Sequence, residues 1–211
     1  MRIDRTTRAL GALTLGLALT LSACGSDDGG SGATAASAST TEHNDADVAF
    51  ASDMLQHHAQ ALSMVDLTLD RPLDPEVATL AEQIRDAQSP EIETFTDWLT
   101  DWNEEIPQTM RDHSNAGHDM GDMGESMEGM DSDDMDMPGM MTADDMTALQ
   151  DAPNAEFQTR WLGMMVEHHQ GAVEMAQSQI EDGQYKPAID LAEDIVSSQT
   201  EEIETMEGLL G

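Results

Sequence analysis

A single cysteine, Cys24, stands in this chain of 211 residues. It excludes an intrachain disulfide and any thiolate-rich centre such as a zinc ribbon or an iron–sulfur cluster. Aromatic residues are nearly as scarce, at three Trp, three Phe and one Tyr. No stretch alternates apolar and polar residues with period two, so strands are not expected. Positive charge is almost missing: 8 Lys and Arg against 43 Asp and Glu leave a formal net charge of −35. Such a chain cannot neutralise a phosphate backbone, which excludes nucleic acid as a partner, and it is repelled by anionic lipid. Apolar runs stay well short of the roughly 20 residues a membrane span needs. Methionine, by contrast, is abundant, with 17 residues.

The first 23 residues read as an export signal. Arg2, Arg5 and Arg8 form a basic start, and Ala9–Leu21 is an uncharged apolar run of 13 residues, the length of a signal-peptide core. The run leads into Leu21-Ser22-Ala23-Cys24, which resembles the lipobox of bacterial lipoproteins and makes Cys24 the expected lipidation site. Residues 24–46 are rich in Gly, Ser, Ala, Thr and Asp and are expected to form a flexible tether. The expected location is outside the cytoplasm, on the outer face of the cell membrane or the periplasmic side of a membrane, with a lipid anchor as the only membrane contact.

Beyond the tether the chain repeats itself. A shift of 111 places Phe50–Leu99 on Trp161–Leu210 without a gap, with 15 of 50 positions identical. Met54, His57, His58, Ala61 and Met64 fall on Met165, His168, His169, Ala172 and Met175, and Glu91-Ile92-Glu93-Thr94 falls on Glu202-Ile203-Glu204-Thr205. Each copy carries two stretches of helical apolar spacing. Arg71-Pro72-Leu73-Asp74-Pro75 forms the corner in the first copy, with Asp74 as N-cap and Pro75 at the first helical position, and Asp182-Gly183-Gln184 with Pro187 forms it in the second. Pro90 predicts a kink or a one-turn break in the second helix. Two hairpins, 47–106 and 154–211, each apolar on one face, predict an all-α four-helix bundle over 47–211 with a pseudo-twofold axis.

Residues 107–153 join the hairpins and are too long for an ordinary helix connection. They hold ten Met, twelve Asp or Glu, His113 and His118, and no aromatic residue. That composition predicts a long Met-rich crossover loop, disordered in the absence of a ligand.

Met54, His57 and His58 lie at i, i+3 and i+4, so a helix presents the thioether and both imidazoles on one face, with Met64 two turns on. Met165, His168, His169 and Met175 repeat the pattern. Imidazole suits several transition metals, whereas thioether selects copper(I), and silver(I) is similarly soft. Di-iron bundles require a carboxylate three residues before the histidine; here Met54 and Met165 stand there. In the loop, Met120, Met123, Met127, Met130, Met135, Met137, Met140 and Met141 are spaced so that a pliant chain can wrap sulfurs round one ion, and His113 and His118 suit copper(II). Binding that depends on histidine is expected to fall as pH drops through about 6.5.

The segments Phe50-x3-Met54-x2-His57-His58-x2-Ala61-x2-Met64 and Trp161-x3-Met165-x2-His168-His169-x2-Ala172-x2-Met175 resemble the domain of unknown function 305 family. The resemblance implies a ferritin-like four-helix fold, export, and in some members copper bound through Met and His. Gln56 and Glu167 depart from it, standing where a Pro is common before each His pair. The reading from sequence is a membrane-tethered copper(I)- or silver(I)-binding protein of metal sequestration or homeostasis, not an enzyme, with a copper-delivery or efflux partner left open. Two other readings stand beside it: an acidic surface interaction or structural protein without a metal role, and a metal-dependent oxidoreductase on the same scaffold.

Overall fold

The expected helical spacing is realised in a computed structural model that describes residues 38–109, 111 and 137–211, all within one unit of the chain. Five helices make up the described residues: α1 (Asp45–Asp66), α2 (Pro75–Trp102), α3 (Ala143–Gln150), α4 (Asn154–Asp182) and α5 (Lys186–Leu210). Among these residues the only strand-like pairing is an isolated parallel bridge between Ser39 and Tyr185. The four long helices are the two predicted hairpins, α1–α2 and α4–α5, and α1 crosses α4 between them.

α1 starts at a reciprocal cap. The Asn44 side chain accepts from the Asp47 N–H, and the Asp47 carboxylate accepts from the Asn44 N–H, which satisfies two N–H groups that the first turn leaves unpaired. The same buried carboxylate also accepts from Gln179 Nε2 at 2.6 Å and from the Tyr185 N–H at 2.9 Å. One side chain therefore ties the start of α1 to the corner between α4 and α5. The far end of the expected tether is fastened at that corner too. Ser39 exchanges backbone hydrogen bonds with Gln184 and Lys186, and His43 stacks on Trp102 at 4.4 Å. Residues 1–37, which include the expected signal and Cys24, lie outside the described residues.

One expectation is narrowed and another corrected. α2 runs through Pro90 without interruption, so the one-turn break does not form; Ser89 and Thr94 hydroxyls on either side bond back to Arg85 and Pro90 carbonyls within the helix. The segment 107–153 is also not a loop throughout, because 143–150 is α3. Thr142 and Asp145 cap one another at its start, and Met146 and Leu149, three apart, are both fully buried. Arg71 joins this region to the first corner: its guanidinium donates to the Gln150 and Ala152 carbonyls and lies 4.4 Å over the Phe157 ring.

The apolar core falls into two clusters. One gathers Met64, Leu80, Ile84, Met146, Trp161 and Met165; the other gathers Phe50, Met54, Phe95, Leu99, Ala172 and Ile195. Residues late in α1 thus pack with residues early in α4, and Trp161 Nε1 donates to the Met64 carbonyl at 3.0 Å. The two helices therefore run past each other in opposite directions. Their midpoints, where they cross, are the two His-His pairs.

Candidate metal centre

His57, His58, His168 and His169 are all buried, at 0–1% exposure, in the layer between the two apolar clusters. The duplication brings one pair against the other: the His57 and His168 rings lie 3.8 Å apart at their centroids, tilted by 41°. The thioethers sort by antiparallel crossing rather than by copy. Met54 is in one cluster with half-buried Met175, and Met64 is in the other with Met165. Each side of the histidine layer is therefore flanked by one methionine from each repeat.

The outer histidine of each pair is held by a carboxylate that the sequence reading left unused. His58 Nε2–H donates to Glu91 Oε2 at 2.6 Å, and His169 Nε2–H donates to Glu202 Oε2 at 2.7 Å. Both pairs span 33 residues, so the duplicated Glu-Ile-Glu-Thr segment carried the signal. One turn earlier on α2 and α5, Gln88 and Gln199 are likewise repeat-related and buried.

Five imidazole nitrogens in this layer are buried without a hydrogen-bond partner: Nδ1 of His57, His58 and His169, and both ring nitrogens of His168. Burial disfavours the imidazolium. It pushes His57 down to about 3, with His58 adding to the effect and the Pro138 carbonyl opposing it. Burial, then the neighbouring His57, holds His168 well below its ordinary value. These two rings are neutral bases at ordinary pH.

A short strap, residues 137–141, lies over the centre where the Met-rich segment returns to the bundle. The Pro138 carbonyl accepts from His57 Nε2–H at 3.0 Å. Gln60 grips Met141 at both backbone groups, donating to its carbonyl at 2.8 Å and accepting from its N–H at 2.7 Å. On the opposite helix the strap fits only because Gly171 has no side chain: a Cβ there would stand 1.9 Å from the Pro138 oxygen. Gln60 and Gly171 occupy the same position of the two repeats. Met137 and Met140 are half-buried in the strap, and Met141 packs into the core. Beside it a cavity of about 290 Å³, lined by Phe50, Asp53, Pro138 and Met175 among others, opens between α1 and α4.

The structure therefore brings together His57, His58, His168 and His169, with Met54, Met64, Met165 and Met175 flanking them. His113, His118, Met120, Met123, Met127, Met130 and Met135 lie outside the described residues. Among the described residues no three His, Cys, Asp or Glu side chains converge in a way that could hold a metal ion. What the centre offers is one unprotonated ring nitrogen on each neutral imidazole, and imidazole suits several transition metals.

Comparison with known proteins agrees with the fold. Residues 47–210 match the family described as domain of unknown function (DUF305). A solved DUF305 fragment from Deinococcus radiodurans is 28% identical, covering 80% of this chain and 97% of that one, with a TM-score of 0.62. A DUF305 protein of Streptomyces coelicolor, described as a candidate secreted protein, is 32% identical over 78% of this chain and 91% of its own, with a TM-score of 0.63. CopM in its Cu(I)-bound form is 26% identical over 77% and 94%, with a TM-score of 0.57. CopM has also been solved in Cu(II)-bound and Ag-bound forms. No curated protein matches the chain.

Proposed function

The chain belongs to the DUF305 family, and from that membership we propose that it is an exported, membrane-tethered protein that binds copper(I) and silver(I) in metal sequestration or homeostasis. The observation that carries this reading is the set of five buried imidazole nitrogens without partners. Each such group costs roughly 1–3 kcal/mol when left unsatisfied. A soft cation that takes the lone pair of the one unprotonated nitrogen on each ring, with thioethers of the two flanking clusters as further donors, offsets that cost. The copper and silver forms of CopM support the choice of metal.

The metal is cargo, and the proposed role is binding rather than catalysis; the four histidines are buried, and the strap's Pro138 carbonyl holds His57. The Met-rich segment is proposed as a second, weaker store, and metal ions as the principal partner, with delivery to or from an efflux partner as the onward step. Export is supported by the secreted description of the Streptomyces relative. Among the described residues no helix is long and apolar enough to cross a membrane.

The test is competition for copper(I) against a chromogenic copper(I) chelator, with zinc as the control metal. We expect copper(I) to be withdrawn from the chelator, zinc to be held weakly, and the variant His57→Ala/His168→Ala to lose the tightest class of site. Unchanged binding by that folded variant would place the metal elsewhere, and no withdrawal by the wild-type chain would refute the reading.

A further inference from the structure

We propose that Glu91 and Glu202 are positioning residues, each fixing its histidine as the Nε2–H tautomer so that Nδ1 is the ligating nitrogen of His58 and His169. This rests on the metal-binding reading above and extends it to two residues on helices α2 and α5, outside the Met-His pattern.

A carboxylate oxygen 2.6–2.7 Å from Nε2 accepts a hydrogen bond, so the imidazole proton sits on Nε2 at both sites. The remaining nitrogen, Nδ1, is buried and has no partner in either ring. A proton on that nitrogen would be an N–H sealed away from any acceptor, whereas a bare lone pair is what a cation needs. The arrangement occurs twice, at positions related by the repeat, with the histidines fully buried and the carboxylates 18–19% exposed. Each carboxylate thus keeps its own access to water while its hydrogen bond orients a ring inside. A histidine that donates its second nitrogen to a carboxylate is a stronger and better oriented ligand, and losing such a partner typically weakens metal binding about 10–100-fold. His57 is oriented the same way by a different acceptor, the Pro138 carbonyl. Nδ1 is therefore the available nitrogen in three of the four rings.

Imidazole proton–nitrogen correlation spectra of the metal-free chain read the tautomers directly, and titration with silver(I) reads the ligating atom. We expect His58 and His169 to carry the proton on Nε2, to keep it on silver(I) binding, and to show the change at Nδ1. We expect Glu91→Ala/Glu202→Ala to lose about 10–100-fold in silver(I) affinity. Glu91→Gln/Glu202→Gln retains an oxygen acceptor and should recover both the tautomer and most of the affinity, which a merely structural role would not predict. Silver(I) bound by the wild-type chain through Nε2, or with equal affinity by the folded alanine variant, would overturn the assignment and leave metal binding standing. No silver(I) uptake by the wild-type chain would overturn both.

Discussion

Two neutral imidazoles packed face against tilted face make His57 and His168 unlike free histidines. In the unfolded chain each takes a proton near pH 6.5. In the fold His57 does so only at about 3, and His168 well below the ordinary value. Between those limits the unfolded state binds more protons, so stability is complete above about pH 6.5 and is lost as pH falls towards 3, by up to about 1.4 kcal/mol per pH unit for each histidine. Urea midpoints of the metal-free chain should therefore drop between pH 7 and pH 4.5. A flat profile would contradict burial of both rings in the neutral form. The loss of histidine-dependent binding expected near pH 6.5 is also displaced: at these two rings, protons begin to compete only in more acidic solution.

At the scale of elements, the two glycines of α4 separate helix propensity from packing. A Cβ at Gly163 would meet nothing within 4 Å, so Gly163→Ala should stabilise the chain by up to about 1 kcal/mol. At Gly171 the same carbon meets the Pro138 backbone, which cannot yield as a flexible side chain would, so Gly171→Ala should destabilise by about 1–3 kcal/mol. Denaturant unfolding of the pair checks both signs; equal shifts would mean that the strap does not rest on α4. The strap was not legible in the sequence. Neither Gln60 nor Gly171 belongs to a motif, and their meaning lies in a backbone crossing between helices. α3 had a readable signal, the Thr142-x-x-Asp145 cap ahead of Met146 and Leu149, but the surrounding Met, Asp and Gly masked it. The hairpins, their corners and the shared face of each Met-His-His set were readable, because apolar spacing and a gapless repeat do not depend on tertiary partners. Glu91 and Glu202 stood within the repeat, yet sequence gives no means of pairing them with histidines 33 residues away on another helix.

At the scale of the whole molecule, residues 39–44 enter the bundle at the α4–α5 corner, where Ser39 and Asn44 are fastened. If Cys24 carries lipid, the residues from there to Ser39 allow that corner to stand at most about 50 Å from the membrane surface. Cys24→Ser should then move the exported chain from the membrane fraction to the soluble one with its metal capacity intact. A wild-type chain already soluble after export would remove the anchor. The duplicated hairpins have also ceased to be interchangeable. With Gln60 gripping the strap and Gly171 making room for it, a copy of the first half in place of the second would put a long side chain where the strap must pass. A copy of the second half in place of the first would leave nothing to hold Met141. The crossing segment thus makes the two halves unlike in role: the first supplies the grip and the second the clearance, and neither alone can seat it.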